Sequence, residues 1–322
     1  MTATTAPIST GTLRLGTRGS ALARTQSQAV ADAITAVTGT PVELVHIVTE
    51  GDRSSAAIAA LGGTGVFVTA IRQALSEGTV DLAVHSYKDL PTASAPGLVL
   101  AAIPGREDPR DALVARDGLT LGELPPGSRI GTGAPRRVAQ LRALGLGLDV
   151  VPIRGNVDTR LGRVAGSGGA GPGDLDAVVL ARAGLARLGR LDAITETLDP
   201  LQVLPAPAQG ALAVECRTGD ARTRELVGRL EDPTVRACVV AERTTLAALE
   251  AGCSAPVAAY AEVAEGDDGP ELFLRASVTA IDGSDAVRGS ATGPLAGAAA
   301  LGRELADELL DRGAAALMAV RA

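Results

Sequence analysis

RLGTRGSALARTQ, residues 14–26, is a short apolar strand that ends in Gly-Thr, passes through small residues and an arginine, and enters a helix-period segment. The same grammar returns in RIGTGAPRRVAQ, residues 129–140. Together they predict two α/β lobes, each aiming a helix N-terminus out of the carboxyl edge of a sheet, where unpaired backbone N–H groups bind anions. The surrounding apolar runs, LRLGT (13–17), PVELVHIV (41–48), VDLAVH (80–85), LVLAAI (98–103), LDVVPI (148–153) and LDAVVL (175–180), alternate with helix-period segments. Buried strands of an α/β sheet are written this way.

Two segments have the composition of connections between lobes: PGREDPRDALVARDG (104–118), and LPAPAQG (204–210), after which ALAVEC returns as a strand. GSGGAGPG (166–173) is expected to be a surface loop. Past Arg217 the pattern changes. Helices are expected at 221–230 and 234–250, strands at 256–263 and 271–280, and a long Ala/Leu helix over 295–320, which together make an α+β domain. The division expected is 12–105 plus 205–219 for a first lobe, 106–204 for a second, and 220–322 for the α+β domain.

Composition removes several function classes. Hydrophobic residues make up 46% of 322, yet there are only two Phe, two Tyr and no Trp, so the cores are aliphatic and aromatic platforms for nucleic acid are not expected. The formal charge of −7 argues against a general polyanion surface, while arginines on loops suit a local anion site. Three cysteines, Cys216, Cys238 and Cys253, show no C-x-x-C spacing, which argues against a disulfide framework and a zinc site and favours a cytoplasmic protein. With two histidines far apart, no metal is expected. The first eleven residues lack the regions of a signal peptide, and the uncharged stretch 54–71 is broken by glycines, so no membrane association is expected. A single lysine preceded by tyrosine excludes a P-loop, no G-x-S-x-G elbow is present, and Arg136 stands where a dinucleotide fingerprint needs its third glycine.

VHSYKDLPT, 84–92, gathers one of the two histidines, one of the two tyrosines and the only lysine. Asp89 follows a strand end and precedes Leu90-Pro91, which blocks a helix. It is either a turn aspartate bonded to backbone N–H groups or a carboxylate that, with Lys88 beside it, stabilises a cation and moves protons. His85 and Tyr87 alternate with Ser86 and Lys88 and are expected to face the core. Arg18, Arg136, Arg137, Arg154 and Arg160 follow strand ends as GTR, PRR and RGNVDTR, and guanidinium forks converging on a cleft suit a ligand with many carboxylates. Cys253, in LEAGCSAP, follows a glycine helix-stop and precedes Pro256, so it lies on a loop, as a surface thiol or a covalent nucleophile; Cys216 and Cys238 belong to cores.

GTRGSALARTQ, GGTGVF, DLAVHSYKDLPT, REDPRDALV, GTGAPRR, IRGNVDTRL, LPAPAQGALAVECR and LEAGCSAPV, in this order, resemble the porphobilinogen deaminase (hydroxymethylbilane synthase) family over residues 13–260. The resemblance implies two lobes like those of periplasmic binding proteins, joined by two crossovers, plus a small α+β domain. It implies a cytoplasmic, monomeric transferase that condenses four porphobilinogen molecules on a dipyrromethane attached to Cys253, with Asp89 catalytic. Lys88, Ser86, Thr132, Arg136, Arg137 and Arg160 match positions that hold the cofactor. Arg18, Ser20, Arg154, Arg187 and Gln209 match substrate contacts. The sequence departs from the common pattern at Thr64, Gly133, Ala134, Ala208 and Ala251. The alternative is a non-catalytic cytosolic carboxylate binder of the solute-binding type.

Overall fold

The computed structural model describes residues 11–47, 65–166, 171, 173–251, 255–266 and 269–318. They fall into two compact units, one of residues 1–85, 95–103 and 213–231, the other of 86–94, 104–212 and 232–322. The first is built on a five-stranded sheet. β1 (Leu13–Thr17) runs parallel to β2 (Val42–His46) and to β3 (Leu82–Ser86), while β10 (Leu212–Arg217) pairs antiparallel with β4 (Leu98–Ala102), giving the order β2-β1-β3-β10-β4. α1 (Ala21–Thr38) begins where Ser20 Oγ accepts from Ala23 N and ends at Gly39, whose φ of 69° is the left-handed conformation that closes a helix. α2 (Gly65–Ser76) also belongs here, and α6 (Ala221–Gly228), capped by Asp220, packs on β4.

The second unit holds two sheets. In the five-stranded one, β5 (Asp111–Ala115) pairs antiparallel with β8 (Ala177–Ala181) and with β9 (Glu196–Thr197), while β6 (Arg129–Thr132) runs parallel to β7 (Asp149–Pro152) and β8. Leu113, Ala177 and Val179 belong to one core; Ala112, Val114, Val178 and Leu180 belong to another on the opposite face. A strand buried on both faces has no polar alternation, which is why these runs are continuous in apolar residues. The segment 104–118 therefore contains more than a connection: β5 lies inside it, buried at every position. α3 (Pro135–Ala143), α4 (Val157–Leu161) and α5 (Arg182–Arg187) follow the ends of β6, β7 and β8.

The three-stranded sheet is an antiparallel meander of β11 (Val257–Gly266), β12 (Gly269–Thr279) and β13 (Ala286–Pro294). α7 (Pro233–Ala248), α8 (Ala298–Asp311) and α9 (Ala314–Met318) cover it with an aliphatic core of Ala, Val and Leu. β13 was not foreseen because AVRGSATGP lacks the β-branched alternation of a strand. Its glycines make room for α8, since a Cβ on Gly289 would meet Leu305 Cδ1 at 2.9 Å and one on Gly293 would meet Leu301 Cδ1 at 3.3 Å. The expected long helix is thus α8 and α9, starting after the strand. Cys216 and Cys238 are buried, as expected, and burial pushes both thiols up to about 11.

Candidate active site

β3 ends at Ser86 and the chain turns at once through one 3-10 turn, Tyr87–Asp89, closed by Leu90 N–H donating to Tyr87 O. Tyr87 N–H is tied to Ala211 O at 3.0 Å, and Leu90 is buried, so the turn is anchored at both ends while Lys88 and Asp89 stay partly exposed.

Lys88 Nζ donates to Gln209 Oε1 at 3.1 Å. Gln209 has no exposed surface, and its carboxamide is fully used: Oε1 also accepts from Arg136 Nη2 at 3.2 Å, and Nε2 donates to Asp111 Oδ1 and Pro109 O, each at 2.7 Å. Asp111, the first residue of β5, takes Arg136 Nη1 at 2.7 Å and Nη2 at 3.1 Å, and Arg137 Nη2 at 2.8 Å. Burial works to raise the Asp111 carboxyl, but Arg136 and Arg137 outweigh it and hold the group well below the usual carboxylate range. The Lys88 ammonium is pushed down to about 8, first by burial and then by Arg137 and Arg136, with Asp89 opposing.

Arg160, on the last turn of α4, donates Nε to Gly155 O at 2.8 Å. Burial and the charge of Arg137 lower its pKa while Asp89 raises it, which makes Asp89, Arg137 and Arg160 electrostatic neighbours. Arg187 Nη2 donates to Gly210 O at 2.6 Å. Gly210 has φ 88° and a Cβ there would run into Glu107 O, so the loop after Gln209 requires glycine. Thr132 is buried at the end of β6, with Oγ1 accepting weakly from Ala134 N at 3.4 Å. Ala134 is the N-cap of α3 and supplies no side-chain cap, and a Cβ on Gly133 would meet Ile153 O at 2.7 Å.

The fold thus brings Lys88, Asp89, Arg136, Arg137, Arg160, Gln209 and, through Gly210, Arg187 into one unit. Arg154 is exposed in the same unit and Ser86 is half-buried. Arg18 and Ser20 belong to the first unit, where Ser20 Oγ is engaged as the cap of α1. Cys253 and Thr64 lie outside the described residues. His85 is buried with Nε2 3.3 Å from Glu215 Oε2, consistent with a core role, whereas Tyr87 is half-buried beneath the Arg243 guanidinium, 4.3 Å from its ring centroid. Sequence reasoning missed Asp111 and Arg243. Asp111 opens an apolar run, but that pattern alone does not mark a buried counter-ion, and Arg243, one of two arginines in its helix, bonds only backbone carbonyls, which side-chain identity does not signal.

The cluster fits a carboxylate-bearing group. The carboxylates that act on Lys88 and Arg160 are Asp89 and Asp111, Asp111 also holds Arg136 and Arg137, and Arg137 Nε is buried with no hydrogen-bond partner among the described residues. Among the described residues no group of His, Cys, Asp or Glu could hold a metal ion, and no helix is long and apolar enough to cross a membrane.

Such a fold and site define a mixed α/β protein suited to small molecules that carry several carboxylates. Residues 13–225 match the family model for the porphobilinogen deaminase dipyrromethane cofactor binding domain, and 236–311 match that for the porphobilinogen deaminase C-terminal domain. The chain is 61% identical to the porphobilinogen deaminases of Mycobacterium avium over 95% of this chain and 96% of that one, and of Mycobacterium tuberculosis H37Rv over 95% and 98%. It is 61% identical to that of Nocardia farcinica over 96% and 89%. It belongs to the porphobilinogen deaminase family. A periplasmic substrate-binding protein from Coxiella burnetii aligns with 70% of this chain and 94% of its own at 14% identity and a TM-score of 0.43, and nothing in the assignment rests on it.

Proposed function

We propose that this chain is a transferase that joins four porphobilinogen molecules, with loss of ammonia, into the linear tetrapyrrole hydroxymethylbilane. The observation that carries the reading is Asp89, set on a turn beside Lys88 and within the electrostatic reach of Arg160, in a chain of this family. Cys253 would hold the dipyrromethane as a thioether, and that group would supply the pyrrole α-carbon to which units are added.

Asp89 would accept hydrogen bonds from pyrrole N–H groups and stabilise the cation that develops as ammonia leaves porphobilinogen, then take up the proton released when the new bond forms. Lys88, Arg137, Arg160 and Thr132, with Ser86, would hold the acidic arms of the primer. Arg136 is already shared by Asp111, Leu204 O and Gln209, so its part is to supply charge behind the site. Arg18, Arg154 and Arg187 would receive substrate, while Gln209, buried with its carboxamide engaged, would hold Lys88 in place, and Ser20 Oγ serves as the cap of α1. Each porphobilinogen ring bears an acetate and a propionate, which matches a cluster richer in guanidinium than in carboxylate.

The same reading takes the protein as a cytoplasmic monomer that needs no metal, with a first lobe of 12–105 plus 205–219, a second of 106–204 and an α+β domain of 220–322. Family membership leaves the non-catalytic binder without support. Incubation of purified protein with porphobilinogen tests the function: ammonia and a linear tetrapyrrole should appear, and Asp89→Asn should lower turnover by at least about 100-fold with the fold intact. Absence of turnover in the native chain would refute it.

A further inference from the structure

We propose that Arg243 is a positioning residue for this reaction, fixing the turn that carries Lys88 and Asp89; the inference rests on the function proposed above. Arg243 projects from α7, is 8% exposed, and donates Nη1 to Tyr87 O at 3.1 Å and Nη2 to Pro91 O at 2.7 Å. Its guanidinium also stacks over the Tyr87 ring at 4.3 Å. One planar fork therefore grips the backbone at Tyr87, just before the two site residues, and at Pro91, two residues past Asp89.

The placement is costly without such a purpose. Among the described residues no carboxylate pairs with this buried guanidinium, so its charge is compensated only by two carbonyl dipoles and one ring. A single 3-10 turn has little rigidity of its own, having one internal hydrogen bond, Leu90 N–H to Tyr87 O. Arg243 adds two fixed points on either side of Asp89.

The preceding residue does the same for the other half of the site. Glu242 has no exposed surface; its Oε1 accepts from Arg106 Nη1 at 2.7 Å and Ala261 N at 2.8 Å, and its Oε2 accepts from Arg106 Nη2 at 3.0 Å and Ala208 N at 2.6 Å. Arg106 Nε in turn donates to Gln209 O at 2.8 Å. Consecutive residues of α7 thus hold the two backbone segments whose side chains, Lys88 and Gln209, meet. Catalytic carboxylates must be held to within a fraction of an ångström, and misplacement by about 1 Å costs on the order of 100-fold in rate.

The test uses full-length protein carrying its primer, with Arg243→Lys, Arg243→Met and Tyr87→Leu. Lysine reaches one carbonyl but not both. Arg243→Lys should lower kcat by about 10-fold and Arg243→Met by about 100-fold, with KM within about 2-fold and the primer's mass increment retained. Tyr87→Leu, which removes the stacked ring and keeps both carbonyls, should have the smaller effect of the three. If Arg243→Met does not fold, the other two variants decide. The inference is overturned if Arg243→Lys keeps the native kcat, if KM rises while kcat holds, if folded variants lose the primer, or if the deficit vanishes when rates are normalised to folded protein. A native chain inactive on porphobilinogen would refute the parent reading instead, whatever the variants do.

Discussion

Lys88 and Gln209 stand 121 residues apart in the chain and meet through a 3.1 Å hydrogen bond. The amide that receives the ammonium is itself held by the Asp111 carboxylate, and that carboxylate also holds Arg136 and Arg137. A positive site is therefore kept in shape by one buried negative charge beneath it. Removing Asp111 leaves two buried guanidinium groups and the Gln209 amide without the acceptor they share.

The Lys88 ammonium, pushed down to about 8, gives the site a pH limit. The charged form predominates below that value and is the form a carboxylate ligand favours, so kcat/KM for porphobilinogen should fall as pH rises through about 8. Lys88→Arg retains its proton across this range and should remove that decline. Stability moves the other way. Between about 8 and the ordinary 10.5 the unfolded chain binds more protons at this group than the folded one, so its contribution to stability rises with pH. Parallel rate profiles and denaturation curves of the native chain and the variant check both signs.

Asp111→Asn should be the most damaging conservative change in the cluster. It leaves two buried guanidinium groups without their shared counter-charge, at a cost of about 3–5 kcal/mol measured by urea denaturation. In the native chain the folded pKa of Asp111 lies below its ordinary 3.8, so the stability it contributes is full above that value and is lost as pH falls below it. The variant's stability should lack this component of the acid dependence.

Ala208 occupies φ 61°, a left-handed conformation, just before Gln209. Its N–H is gripped by Glu242 Oε2, which keeps the backbone there against the preference of a side chain with a Cβ. Ala208→Gly should relieve roughly 1 kcal/mol and raise Tm by about 2 °C, less whatever the glycine adds to unfolded-chain entropy. A drop in Tm on calorimetry would show that Ala208 is not strained. Ala251, another of the positions that depart from the common pattern, is buried and does not adopt a positive φ, so no such gain is expected from Ala251→Gly.

Much of this was legible in the sequence because its signals are local. Gly-Thr at a strand end followed by arginine places a helix start at a sheet edge, and Leu90-Pro91 after Lys88-Asp89 leaves only a turn. The helix expected over 234–250 is present, but it ends at Ala248, two residues earlier than expected. What escaped depends on partners distant in sequence. Asp111 lies 25 residues from Arg136 and 98 from Gln209, and nothing in REDPRDALV says that its last aspartate is a buried counter-ion. Arg243 acts on carbonyl oxygens 156 and 152 residues away, and a backbone acceptor leaves no trace in side-chain identity. β13 escaped for a different reason: glycine, which weakens a strand in isolation, is favoured there by the leucines of α8 that fill its space.

The central claim is that this chain carries a carboxylate-bearing pyrrole primer attached covalently to Cys253. The intact mass of freshly purified protein tests it most directly. The account predicts a mass above that of the sequence by one two-pyrrole unit, and loss of that increment in Cys253→Ala; a native mass equal to the sequence mass, or an increment that survives the substitution, would contradict it.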